Sequence, residues 1–300
     1  MNLYRIITSK GLKSQDLIDD DKVIYTVKDP VSSIEPSIFE QLIKQTEMKP
    51  IAVGYDNTFA FLPEERNRFP AASMNHFFLA DSLSKNTDVR NAKSLVDLGC
   101  GAGFLGNYAA KNFEGLENGK IIFGDLFPES INAALIAYFA NNELDPREMQ
   151  ITQYENSISV RGKGKQVVEF RIGDVTQTMF KDKADLAVAS PIYIPEICEV
   201  FPEAFELFGA VSKNIGADFY VAHSSLADKV IERAASVTGA KLSEINSQKR
   251  PLDLSVTDSR RRTLDEEVIA KLLPMGLIVE KQGDKVSYQH ELRVSKLSYK

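Results

Sequence analysis

The sequence contains no tryptophan, two cysteines and three histidines in 300 residues. Two cysteines cannot build a disulfide framework, and Cys100 lies inside a glycine-rich stretch rather than in a paired spacing. His76, His223 and His290 have no metal-ligand spacing, so no metal is expected. No apolar run approaches the roughly 20 residues that span a bilayer. Residues 1–10 carry basic side chains, but no apolar core or small-residue cleavage site follows them. An excess of positive charge is missing as well. The 36 basic and 42 acidic residues leave a formal charge of -6, which disfavours a protein that coats nucleic acid while leaving room for a local basic groove. Repeats and low-complexity tracts are absent, which removes solenoids and arrays. What remains is an ordinary globular composition, 43% hydrophobic and 26% charged. The expectation is a soluble, cytoplasmic protein without a membrane partner, built as two average domains or one large domain with additions.

Residues 1–90 carry mixed signals. Asp21 to Val27 alternates like a strand, and Pro36 to Gln45 reads as a short helix opened by proline. Ile51 to Gly54 and Thr58 to Leu62 read as short strands around Asp56 and Asn57, and Met74 to Leu83 reads as a helix. From residue 93 the period changes. Ser94 to Leu98, Lys120 to Gly124, Gln166 to Ile172, Ala184 to Ala189 and Ala217 to Ala222 read as strands. Phe104 to Phe113, Pro128 to Leu144 and Leu226 to Val237 read as helices. Strands alternating with helices predict an α/β fold with a right-handed, doubly wound sheet over residues 91–300, preceded by a smaller α+β cap region over residues 1–90. Met149 to Lys165 breaks the rhythm, and Gly162 and Gly164 suggest a hairpin there. Leu242 to Leu254 reads as a strand and Asp265 to Leu273 as a helix. Leu277 to Glu280 with Glu291 to Leu297 reads as a terminal antiparallel pair.

The strongest chemical signal is Val96-Asp97-Leu98-Gly99-Cys100-Gly101-Ala102-Gly103-Phe104-Leu105-Gly106. Glycines between a strand and a helix allow a sharp turn and a close approach of ligand to backbone, and the helix behind them offers unpaired amides. Residues Gly101 to Gly106 satisfy the dinucleotide fingerprint, with Asp125 at the distance expected of a ribose-binding acid. Charge separates the two ligand classes that use such a turn. Asp97, two residues before the first glycine, would face a pyrophosphate with an unpaired carboxylate, whereas a ligand bearing an ammonium and a sulfonium suits it. A nicotinamide dehydrogenase is thereby disfavoured.

An acid followed by three glycines at alternate positions resembles motif I of the class I S-adenosylmethionine-dependent methyltransferases, and the resemblance extends over Ser94 to Ala222. It implies a Rossmann-like fold and S-adenosylmethionine as cofactor. Asp97, Gly99, Cys100, Gly101 and Gly103 would form the cofactor turn. Asp125 and Leu126 would stand at the ribose. Gly173, Asp174 and Val175 would lie at the adenine. Read singly, each acid at a strand end is equally a turn residue or a helix cap.

Ser190-Pro191-Ile192-Tyr193-Ile194-Pro195, directly after the fourth strand, resembles the Asn/Asp/Ser-Pro-Pro-Tyr loop of amino-methyltransferases, and its trailing Ile-Pro is like the HemK-type protein glutamine methyltransferases. The resemblance implies that Ser190, Pro191 and Tyr193 orient a target nitrogen, with Ile192 on the substrate side, by positioning and desolvation. Ser190 replaces an amide, and Ile192 replaces a proline that would stiffen the loop. Asn75 and His76 fall where such enzymes close over the cofactor, and His223, after the fifth strand, is the best-placed general base. Lys249, Arg250 and Arg260-Arg261-Arg262 form the dense basic cluster, suited to a phosphate, a carboxylate or RNA, or simply solvated. The expected activity is N-methylation of a protein glutamine or a nucleobase. Methylation of a small metabolite is the alternative, and a non-catalytic module that binds S-adenosylmethionine is the rival of another class.

Overall fold

The computed structural model describes residues 23–27, 51–56, 58–61, 72–142, 144, 149–161, 165–174, 181–191, 193–197, 203–252, 264–283 and 285–299. The expected helix Pro36 to Gln45, and Val175, Ile192, Gly162, Gly164 and Arg260 to Arg262, lie outside the described residues. Strands β1 (Val23–Val27), β2 (Ile51–Tyr55) and β3 (Thr58–Phe61) form a small sheet, β1 parallel and β3 antiparallel to β2. Helices α1 (Met74–Ser84) and α2 (Thr87–Arg90) lead into the main layer.

That layer starts with β4 (Ser94–Leu98), α3 (Phe104–Asn112), β5 (Lys120–Asp125) and α4 (Pro128–Asn141). It continues with β6 (Gln150–Gln153), β7 (Ser157–Arg161), β8 (Val167–Ile172) and β9 (Leu186–Ala189). Then come α5 (Ala204–Ile215), β10 (Asp218–Ser224), α6 (Asp228–Thr238) and β11 (Lys241–Pro251). Helix α7 (Glu266–Leu272), β12 (Ile278–Gln282) and β13 (Lys285–Ser298) complete the chain. The sheet order is β11-β13-β10-β9-β4-β5-β8-β7-β6, with β12 on β13.

The five parallel strands β8, β5, β4, β9 and β10 are a Rossmann-like, doubly wound core. The chain winds outward from β4 to β8, then returns to the other side of β4 to lay down β9 and β10. The reversal between β4 and β9 is a topological switch point, where ligands of open α/β sheets bind beyond the carboxyl ends of the strands.

Both faces of the core are covered, which is why its strands read as near-continuous apolar runs. On one face Phe77 of α1, Phe104 of α3 and Phe139 of α4 bury against Phe123 and Phe170, whose rings stack at 4.7 Å. On the other, Phe205, Val211 and Ile215 of α5 and Ile231 and Ala234 of α6 close over Leu98, Ala187 and Val221. Each of the phenylalanine, valine, leucine and isoleucine side chains contributes about 1.5–3 kcal/mol on burial, the alanines less. Strand β3 packs against α3 and α4, and Tyr55 and Tyr108 stack at 5.9 Å beside it.

The expected terminal antiparallel pair is corrected. Residues 292–297 of β13 pair with β10, and β13 also pairs with β11, while β12 takes only residues 285–289. Local pattern could not reveal this, because β13 is fourteen residues long and changes neighbours along its length. Helix α4 also stops at Asn141 rather than Leu144. Hairpin β6–β7 lies within Met149 to Lys165, with its turn at Glu155 and Asn156.

Candidate active site at the carboxyl edge

Gly99, Gly101 and Gly103 have φ of 64°, 52° and 74°, so the turn after β4 winds through the left-handed region three times. Only glycine does this without strain from a Cβ. Backbone bonds fix the turn: Cys100 N donates to Gly124 O at 3.0 Å and Gly103 N to Cys100 O at 2.8 Å. The glycines serve different purposes. A Cβ on Gly103 would stand 2.5 Å from Cβ of Ala134, so this position lets α3 approach α4. A Cβ on Gly101 would meet nothing within 4 Å, so only its left-handed backbone, and no described neighbour, calls for glycine there.

Two acids stand at neighbouring strand ends around that opening. Asp97, 2% exposed, accepts a hydrogen bond from Gly106 N at 2.8 Å through Oδ2 and so ties β4 to the first turn of α3. Burial pushes its carboxyl up to about 8; the Gly106 bond works against that and the neighbouring Asp125 adds to it. Asp125 Oδ2 accepts from Gly101 N and Oδ1 from Phe127 N, both at 2.9 Å, and burial raises its carboxyl as well. Among the described residues, no basic side chain is among the main influences on either acid. Buried carboxylates normally have such a partner. Gly173, at the end of β8, donates its N–H to Asp125 O at 2.9 Å, which brings Asp174 to the same edge. Leu126, 54% exposed, stands beside Asp125.

The titration of Asp97 predicts a pH dependence of stability. Its carboxyl is raised in the folded protein, so its contribution is complete below about pH 4 and is lost as pH rises towards 8. Between pH 6.5 and 8 the ligand-free protein should lose on the order of 2 kcal/mol on this account. Asp97→Asn, which keeps an acceptor for Gly106 N, should flatten that limb of a melting-temperature profile. A limb as steep as before would remove Asp97 as its cause.

The loop after β9 brings Ser190, Pro191 and Tyr193 to the switch point. Among the described residues, Ser190 Oγ is buried without a hydrogen-bond partner. Such a group costs about 1–3 kcal/mol unless a ligand or solvent bonds it. The Tyr193 ring meets Phe205 edge to face at 5.9 Å, which anchors the loop to α5. Ile194 and Ile197 pack into a satellite core with Leu226, Leu252, Leu264, Leu272, Leu277 and Tyr288. Glu196, at φ 61°, pairs with Lys271 of α7 at 3.1 Å. The C-terminal elements therefore brace this loop, a role the sequence did not reveal. The available signal was the run of leucines on both sides of α7, and it carried no partner information.

Asn75 and His76 open α1, where Phe77 packs on Phe104 at 4.9 Å, next to the glycine turn. His76 Nδ1 accepts from Ser73 N at 3.1 Å, so its ring caps the helix, and burial lowers its pKa to about 4. His223 lies at the end of β10, beside Ser224 and Ser295. Its Nδ1 donates to Ser224 O at 3.0 Å and its Nε2 bonds Ser295 Oγ at 2.8 Å, so both ring nitrogens are engaged. Burial holds it near 4. His290 is buried alongside and bonds Ser224 Oγ at 2.6 Å. In the basic cluster, Lys249 pairs with Glu280 at 3.2 Å and Arg250 is buried.

No protein-family model and no curated protein matches the sequence. Among solved structures, a protein of Pyrococcus horikoshii described as a candidate RNA methyltransferase aligns at 16% identity over 78% of this chain and 88% of its own, with a TM-score of 0.44. The YcgJ protein of Bacillus subtilis aligns at 9% identity over 75% of this chain and 100% of its own, with a TM-score of 0.46. Trm1 of Pyrococcus horikoshii, solved with S-adenosyl-L-methionine, aligns at 10% identity over 79% of this chain and 59% of its own, with a TM-score of 0.42. The chemistry of the site is carried by this chain's own residues.

Proposed function

We propose that the protein is an S-adenosylmethionine-dependent methyltransferase. The observation that carries this reading is the pair of buried acids, Asp97 and Asp125, around the open space at Gly101. They are bonded by backbone amides and the Ser130 hydroxyl, with no basic side chain among their main influences within the described residues. Burial favours the protonated form of both in the ligand-free protein. A cationic ligand would stabilise their carboxylates and draw the protons off, whereas a pyrophosphate would find no positive partner there. Asp125, already bonded by two amides and the Ser130 hydroxyl, retains acceptor capacity for one ribose hydroxyl, Leu126 offers apolar surface to an adenine, and Asp174 would face its amino group. In this reading residues 91–300 are the cofactor-binding domain and residues 1–90 the substrate-side region.

Bound S-adenosylmethionine supplies an electrophilic methyl group and leaves as a neutral thioether. The chain supplies position. Ser190 Oγ, lacking a partner, accepts a hydrogen bond from the acceptor amine and directs its lone pair, and Tyr193, anchored on Phe205, shapes the wall beside it. We favour a nitrogen acceptor, a protein glutamine or a nucleobase in the manner of the HemK-like branch. The second reading, a small metabolite, is favoured by the single hydroxyl of Ser190, which cannot present the paired donor and acceptor of an amide.

Ser190→Ala tests the role of the loop. Removing an unpartnered buried hydroxyl should leave melting temperature unchanged or slightly raised, and S-adenosylhomocysteine affinity unchanged. Methyl transfer, screened over peptides, nucleosides, RNA and metabolites, should fall at least about ten-fold. Undiminished turnover would place the acceptor elsewhere. Cofactor binding with no turnover by the unaltered protein on any acceptor would favour a non-catalytic binding module.

A further inference from the structure

Hairpin β6–β7 extends the sheet beyond β8, on the side away from the switch point. Because β7 runs antiparallel to β8, with Ser157 opposite Arg171, the turn of the hairpin rises at the carboxyl edge, where the site lies. It is a short, hydrogen-bonded turn. Tyr154 N donates to Ser157 O at 2.8 Å across Glu155 and Asn156, and Ile172 N donates to Asn156 O at 2.8 Å, one residue before Gly173 and Asp174. The turn is thus fixed to the strand end that carries the adenine-side residues.

Tyr154 is the one aromatic residue on this polar hairpin tip and is 61% exposed. Ile151 and Ile158 point into the core beneath α4, and Gln153 is paired with Ile158. Tyr154 follows directly after β6, as the first residue of the turn. Strand β6 lies two spacings, about 10 Å, from β8, and β5 lies one spacing away on the opposite side. Leu126, also exposed, follows β5. The end of β8 is therefore flanked by two exposed apolar side chains on rigid supports, with Asp174 between them.

We propose that Tyr154 stacks on the adenine ring of the bound cofactor and forms the outer wall of its site, an inference that rests on the cofactor reading above. The ring offers a flat apolar face, and its backbone is already ordered by the turn, so little entropy is lost when adenine docks. Leu126 supplies the opposing surface.

The test is calorimetric titration of the unaltered protein, Tyr154→Ala and Tyr154→Phe with S-adenosylhomocysteine and with 5′-methylthioadenosine, which share the adenine and differ in the amino-acid tail. Base–aromatic stacking predicts about a ten-fold loss of affinity for both ligands in the alanine variant, and a change within about two-fold in the phenylalanine variant. Melting temperature should not change, because the side chain is exposed. Unchanged affinity in Tyr154→Ala, an equal loss in Tyr154→Phe, or a loss matched by a fall in ligand-free melting temperature would each overturn the stacking position. No binding of either ligand by the unaltered protein would overturn the cofactor reading itself and take this inference with it.

Discussion

Gly101→Ala is expected to fold and to lose at least about ten-fold in affinity for S-adenosylhomocysteine, whereas Gly103→Ala is expected to fold poorly. Both glycines are left-handed, so an alanine at either carries a backbone penalty of roughly 1–2 kcal/mol. The surroundings separate them. At Gly103 the new methyl would stand 2.5 Å from Cβ and 2.9 Å from Cα of Ala134, and α3 and α4 would have to part. Overpacking of that kind adds about 1–3 kcal/mol. At Gly101 nothing stands within 4 Å, so the only contact a methyl can spoil is one with a ligand. Melting curves and calorimetry on the two variants should therefore move in opposite orders. Equal ligand affinity in Gly101→Ala and the unaltered protein would mean that the open space is not the binding site.

The second large effect concerns Asp125. Its two oxygens hold the amides of Gly101 and Phe127 and the Ser130 hydroxyl, and the side chain is 7% exposed. Asp125→Ala removes both acceptors. If the same carboxylate also takes a ribose hydroxyl, at about 1.5 kcal/mol for that charge-assisted bond, affinity for S-adenosylhomocysteine should fall at least about ten-fold. Asp125→Asn preserves shape and one acceptor and should lose less. A variant that binds as well as the unaltered protein would move the ribose elsewhere.

Much of the doubly wound layer was legible because its determinants are local. The apolar runs of β4, β5 and β8, the glycines after β4 and Pro128 at the start of α4 each act within a few residues. The same holds for the placement of Asp97, Asp125, Asp174 and Ser190 at strand ends. What was not legible depends on partners distant in the chain. Asp97 had been expected to look towards a cation, and its bond to Gly106 N, nine residues on, makes it a brace of the turn as well. His223 stands at a strand end, as a general base would, but Ser295, 72 residues away, occupies its Nε2. The bracing of the β9 loop by residues 264–288 and the insertion of β13 between β10 and β11 are pairings of the same kind. The hairpin before β8 was readable as a hairpin. Its aromatic tip gained meaning only once strand direction placed it at the carboxyl edge.

The most direct test of the central claim is calorimetric titration of the purified protein with S-adenosylhomocysteine and, in parallel, with NADH. The two buried acids at the glycine turn, whose ionised form a cation would favour and a pyrophosphate would not, predict micromolar binding of the first and none of the second. Binding of NADH without S-adenosylhomocysteine would contradict that assignment of charge, and the methyltransferase reading would fall with it.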